Sequence, residues 1–219
     1  MNDAPTPRIA RLQVRLCAVD QPLHLEFAKV AEQFPDWVTA TRGSILDDGA
    51  DAVVSPANSF GFLDGGLDAT YLAHFGDRVQ YAARSAVLYR HDGELLVGAA
   101  DAVATGSGEI PYLVLAPTMR VPMTLPADTV NPYLAMRAVL RLIEREILRE
   151  GPYEGQPARH RLLRVAVPGL GTGTGRVSPR ACARQVAAAL RWACGPIGLP
   201  PSWLDARMEQ RDLVADAGD

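Results

Sequence analysis

Over residues 11–19 apolar and polar side chains alternate, with Leu12, Val14, Leu16 and Ala18 on one side. This period of two predicts a strand buried on one face, at a sheet edge or otherwise one-sided. Asp20 and Pro22 then open a helix, because Leu23, Phe27, Val30, Ala31 and Phe34 recur at the spacing of a single helical stripe. A short strand is expected over 37–41, a turn at Gly43-Ser44-Ile45, and a β-branched strand over 52–54. Past a glycine pair at 65 and 66, Leu67, Tyr71, Leu72 and Phe75 trace the stripe of another helix. Further strands are expected over 95–103 and 112–116, the second ended by Pro117.

The longest helix is expected over 130–149, with Tyr133, Met136, Leu140, Ile143 and Ile147 along one side and Gly151-Pro152 as its stop. An apolar strand over 162–167 runs directly into a glycine-rich loop. Ser178-Pro179 then caps a helix striped by Cys182, Val186, Ala189 and Leu190. Strands and helices that alternate in this way predict an α/β fold, a three-layer sandwich. The expected domain runs from 8 to 211, with residues 1–7 and 212–219 as disordered ends.

Composition narrows the function classes. The chain has 219 residues, 48% of them hydrophobic and 21% charged, which is ordinary globular usage. A formal charge of −3 gives no general reason to expect nucleic acid or a membrane as partner. Arginines at 137, 141, 145 and 149 share a helix face, but Glu144, Glu146 and Glu150 interleave with them as in a solvated surface. Three cysteines, Cys17, Cys182 and Cys194, form no CxxC pair, and no apolar run reaches membrane-spanning length. A cytoplasmic monomer is the expectation. Lys29 is the single lysine and lies in an ordinary amphipathic run, which makes Schiff-base chemistry a poor fit. His24, His74, His91 and His160 are scattered without metal-ligand spacing, so no metal is expected. His74 reads as packed or exposed.

Two loops carry the candidate chemistry. The first follows the strand at 52–54 and holds Asn58, Ser59, Phe60, Gly65, Gly66, Leu67 and Asp68 just where a helix begins. The second holds Gly169, Gly171, Thr172, Gly173, Thr174, Gly175 and Arg176 between a strand and a helix. Glycines let a backbone approach an anion closely, and helix N-termini present N–H groups to it. Parallel strands would bring both loops to one carboxyl edge, where open α/β sheets bind ligands. The second loop is not a dinucleotide GxGxxG, since Thr174 and Arg176 stand where that motif needs glycine. A Walker A loop needs Gly-Lys, and a hydrolase elbow needs GxSxG, and both are absent from the sequence.

These loops resemble those of the macro domain family. Ala57-Asn58 and Asp68 keep the family's ten-residue spacing, with Gly65-Gly66-Leu67 before the aspartate, and Gly171-Thr172-Gly173 is similar to its diphosphate loop. The likeness covers residues 40–194. Where the family has Gly-Asp-Ile, whose aspartate takes the adenine amino group, this chain has Gly43-Ser44-Ile45, which leaves Asp47 or another carboxylate for that role. Ser55 stands at the family's first Asn, and Gly175 takes the place of its usual aromatic residue, so stacking on the sugar falls to Phe60 or Phe62.

The resemblance implies an α/β/α sandwich on a mixed, mostly parallel sheet. It also implies binding of ADP-ribose, or of an ADP-ribosylated protein, without cofactor or metal. Nucleic acid enters only as an ADP-ribosylated end. The implied reaction is hydrolysis of mono-ADP-ribose from acidic side chains, with Asn58 and Asp68 as catalytic residues. Ser44, Ile45, Ser59, Phe60, Gly65, Gly66, Leu67 and the loop 171–176 would be the ligand contacts. A non-catalytic reader, or a hydrolase of a small derivative such as O-acetyl-ADP-ribose, would use the same loops.

Overall fold

The computed structural model describes residues 5–47, 49–56 and 58–214. In chain order these form β1 (Gln13–Ala18), α1 (Gln21–Ala31), β2 (Val38–Arg42), β3 (Ala52–Ser55), α2 (Gly66–Phe75), α3 (Asp77–Arg90) and β4 (Asp101–Ala104). There follow β5 (Tyr112–Leu115), α4 (Asn131–Arg145), a 3-10 turn (Ala158–His160), β6 (Arg164–Val167), α5 (Pro179–Cys194) and α6 (Trp203–Val214). The six strands make one sheet in the order β2-β1-β6-β3-β5-β4, parallel throughout except for the antiparallel pair β4 and β5.

Strand alternation sorts side chains between two cores. Val14, Leu16, Val54, Val165 and Val167 join the stripes of α1, α4 and α5 on one face. Cys17, Val53, Ala166 and Leu113 join Tyr71, Val79, Ala83 and Val87 of α2 and α3 on the other. The result is the three-layer sandwich that the alternation of elements predicts.

Several elements differ from the sequence reading. β1 lies inside the sheet, paired with β2 on one side and β6 on the other, and β2 is the edge. Arg15 is tolerated there because a loop covers that part of the second face, and its guanidinium donates to the Ile45 carbonyl at 3.0 Å. Of the expected 95–103 strand only residues 101–103 join the sheet, as part of β4, which runs on to Ala104. Leu95 is buried, but its N–H goes to Ser59, and Gly98 at φ +94° breaks the run.

α4 ends at Arg145, since Glu146 turns extended (φ −87°, ψ 158°), and Leu148 and Ala158 tie the following segment into a return loop. At 15 residues it is one shorter than α5. α3 is not legible as an amphipathic run, because its buried stripe of Val79, Ala83, Ala86 and Val87 is narrow and Tyr81, Leu88 and Tyr89 face outward. α6 buries no residue and extends through 212–214, beyond the expected end of ordered chain.

Arg8, at the start of the expected domain, is anchored to α4 and α5. Arg8 forms a bidentate pair with Glu144 at 2.8 and 3.1 Å, donates to the carbonyls of Trp192 and Gly195, and lies 4.5 Å over the Trp192 ring. The same guanidinium holds Glu144 below the ordinary carboxylate pKa. The clamp is therefore present above that ordinary range and lost as pH falls beneath it. Arg8→Ala strips a partly buried carboxylate and two carbonyls of their donor, an expected loss of about 2–3 kcal/mol. In thermal unfolding that is a fall in Tm of roughly 4–12 °C for a chain of this size.

Candidate functional site

β1, β6 and β3 are adjacent and parallel, so their carboxyl ends open together. A cleft of about 580 Å³ lies at that edge, lined by residues that follow each of the three strands. This is the place where ligands settle in open α/β sheets, and the volume suits a nucleotide-sized molecule. Three helices begin at its rim. α1 starts behind Asp20, whose Oδ1 accepts the Leu23 N–H at 2.9 Å. α5 starts behind Ser178. α2 starts at Gly65 with no side-chain cap, which leaves its first N–H groups at the cleft. Their positive ends favour an anion between them.

The loop after β6 closes on itself. Val177 N–H donates to the Gly171 carbonyl, and Leu125 N–H to that of Gly175. Gly171 sits at φ +72°, and a Cβ on Gly175 would lie 2.5 Å from the Gly171 oxygen, so these glycines are required by the turn itself. The N–H groups of Thr172, Gly173, Thr174 and Gly175 meet no protein acceptor among the described residues. Cys182, behind the loop, accepts from Leu170 N–H, and burial pushes its thiol up to about 12. It is a packing residue.

The loop after β3 carries the acid. Asp68 lies in the first turn of α2, 7% exposed, and Ser55 Oγ donates to its Oδ1 at 2.6 Å. Burial, with a smaller contribution from the nearby Asp64, raises its pKa from 3.8 to about 7 in spite of the Ser55 bond. A carboxyl poised there can exchange a proton at neutral pH. Tyr71 beneath it donates to the Val54 carbonyl at 2.9 Å, and its hydroxyl is held far above its ordinary pKa by burial.

Asn58 is engaged within its own loop. Its Oδ1 accepts the N–H groups of Phe60 and Phe62, and its Nδ2 donates to the Phe62 carbonyl at 2.9 Å. One N–H of the carboxamide is left for a ligand. Gln80 of α3 accepts the Leu63 N–H, which pins this loop to the helix beside it.

Of the residues read from the sequence, Ile45, Asn58, Gly65, Gly66, Leu67, Asp68 and the run Gly171 to Gly175 line the cleft. Arg176, at φ +55°, faces an adjoining groove beyond Thr172–Thr174. Ser44 does not line the cleft, and its hydroxyl accepts the Leu46 N–H. Ser59 is buried against residues 95 and 120. Phe60 lies outside the cleft under Arg120, whereas Phe62 lines it.

Sequence reading missed Cys17, Ala18, Val19, Asp20 and Leu23, which form the β1 end of the cleft beside Gly43 and Ile45 of the turn it did single out. Only the sheet order reveals it, because β1 must lie beside β6. Ala57 lies outside the described residues, as do residues 1–4 and 215–219.

The fold is that of the macrodomains. The macrodomain of Mycobacterium tuberculosis DarG superposes with a TM-score of 0.56 at 18% identity, covering 71% of this chain and 91% of that one. An Oceanobacillus iheyensis macrodomain mutant with ADPR gives 0.56 at 16%, covering 78% and 88%. Thermosipho africanus DarTG in complex with ADP-ribose gives 0.53 at 15%, covering 80% of this chain and 45% of that larger one. An uncharacterized protein of Aquifex aeolicus is 29% identical over 154 residues, 70% of this chain and 81% of its own length. No protein-family model matches the chain. Identities this low in the solved structures carry the fold, and the chemistry rests on this chain's own residues.

Proposed function

We propose that this protein binds ADP-ribose in the cleft and hydrolyses it from modified acidic side chains. The observation that carries the reading is a buried carboxyl, Asp68, at one end of a cleft otherwise walled by two glycine loops and three helix N-termini. The cleft divides by chemistry. Ala18, Val19, Leu23 and Ile45 give the β1 end apolar walls suited to a purine. The free N–H groups over 172–175 and the start of α2 face the middle and suit a diphosphate. Asn58 and Asp68 face the distal ribose.

Hydrolysis at C1″ of that ribose needs water on one face and a carboxylate leaving group on the other. Ionised Asp68 takes a proton from the water as its oxygen bonds to C1″, and the C1″–O bond to the acceptor breaks with its electron pair leaving on the acceptor carboxylate. Negative charge on Asp68 also offsets the positive charge that builds on the sugar. Ser55 holds the carboxyl in place, and the spare Asn58 N–H orients a ribose hydroxyl.

Base recognition falls to Asp20 in this reading. Ser44 is turned away and Asp47 is outside the lining, while Asp20 lines the β1 end with Oδ2 left after Oδ1 caps α1. A single free carboxylate oxygen suits one amino group, such as that of adenine. Asn keeps the cap and replaces the acceptor with a donor. Asp20→Asn is expected to weaken ADP-ribose binding by about tenfold and to narrow its advantage over the inosine analogue. Calorimetric titration of both ligands checks this, and Asp47→Asn should leave the ratio unchanged.

The reading is tested by incubating the protein with a glutamate-linked, mono-ADP-ribosylated protein and following free ADP-ribose. Release supports hydrolysis. Binding without release makes the protein a reader, and release from O-acetyl-ADP-ribose alone makes it a small-molecule hydrolase.

A further inference from the structure

Past Phe62 the cleft gives way to a second open groove of about 800 Å³, between the loop after β3 and the outer face of α3. Phe62 lines both, so the groove begins where the loop after β3, with Asn58 bonded to Phe62, walls the cleft, and the group attached to C1″ would leave the cleft past that wall. Its surface is unusual for solvent-facing helix. Tyr81 and Tyr89 are 74% and 80% exposed, and Leu88 stands with them. The Arg84 guanidinium stacks 4.2 Å over the Phe62 ring and has no carboxylate partner among the described residues. Stacking leaves its N–H edge open to an incoming anion. The groove is also built rather than loose. Asn58 fixes the backbone of Phe60 and Phe62, and Gln80 ties Leu63 to α3.

Resting on the function proposed above, we propose that this groove seats the polypeptide carrying the ADP-ribose, an acidic peptide segment whose modified side chain reaches over Phe62 to Asp68. Arg84 pairs with a carboxylate flanking the modified residue, and the exposed tyrosines and Leu88 pack against neighbouring side chains. A phosphate backbone gains its affinity from several cations. Here one unpaired arginine stands among tyrosines with Asp77, and Arg120 nearby is already bound to Glu94 at 2.8 Å. A peptide fits that mixture better than a nucleic-acid strand.

The test measures dissociation constants for free ADP-ribose and for a mono-ADP-ribosylated acidic peptide, in an Asp68→Asn background that prevents turnover. The peptide is expected to bind about tenfold more tightly than free ADP-ribose. Tyr81→Ser with Tyr89→Ser, and separately Arg84→Ala, are expected to erase that advantage while free ADP-ribose binds as before. Equal affinities in the parent, or an equal loss for both ligands in the variants, overturns the groove. Tighter binding of an ADP-ribosylated oligonucleotide than of the peptide gives the groove to nucleic acid and overturns the peptide assignment. No binding of free ADP-ribose at all sinks the underlying reading, a result distinct from the others.

Discussion

Asp68→Asn is expected to lower the rate of ADP-ribose release by about 10²–10⁴-fold, the usual contribution of a positioned general base, while leaving ADP-ribose binding within a few-fold. The asparagine still accepts from Ser55, so the loop keeps its shape. The wild-type rate should depend on pH with a definite sign. In the proposed reaction Asp68 acts ionised, and its pKa is raised to about 7, so kcat/KM is expected to rise with pH up to that value and level off above it. A rate that falls through the same range would make Asp68 the acid instead.

Stability runs the other way. In the unfolded chain this carboxyl ionises near 3.8, and in the folded protein it stays protonated to about 7. Between those values the unfolded state binds fewer protons. Stability is therefore full below the unfolded pKa and declines as pH rises through the interval, by roughly 4 kcal/mol at most. Asp68→Asn removes that decline. Its Tm should match the wild type near pH 4 and exceed it at pH 8, which sets a destabilising acid against the chemistry proposed for it.

Gly175→Ala is expected to weaken ADP-ribose binding by at least about 100-fold, because the added methyl meets backbone that cannot yield without opening the loop. The new Cβ would lie 2.5 Å from the Gly171 carbonyl oxygen and 3.1 Å from Leu125 Cδ1. Opening the loop scatters the N–H groups over 172–175 proposed to hold the diphosphate. Gly108→Ala is the matching control. It meets nothing within 4 Å and has no positive φ, so it should leave both Tm and affinity unchanged or slightly improved. Titration of ADP-ribose into both variants, alongside their melting curves, separates loss of the site from loss of the fold.

Much of this fold is legible because strong periodic runs carry it. The strands at 52–54, 112–116 and 162–167 and the helices opened by Asp20 and Ser178 are all present, and Asp20 and Ser178 both cap as their residue types predict. Position in the sheet is less legible. Arg15 marks β1 as one-sided, yet pairing to both neighbours is set by long-range contacts that no local pattern records. α3 and α6 escape for opposite reasons, one with aromatic side chains on its outer face and the other with nothing buried.

In the site, the glycine loops and Asp68 follow from spacing, since a turn's needs are local. The cleft's β1 end does not, because Asp20 reaches it only through strand order. Nor does the choice between neighbouring aromatics. Phe60 turns toward Arg120 and Phe62 toward the cleft because the Asn58 carboxamide holds the loop between them.

The most direct measurement is single-turnover release of ADP-ribose from a glutamate-modified protein at pH 6 and pH 8, by wild type and Asp68→Asn side by side. Hydrolysis by the wild type, faster at pH 8 than at pH 6, and near-absent in a variant that still binds ADP-ribose, is the predicted result. Equal rates in the two proteins, or no release by either at saturating enzyme, would contradict it.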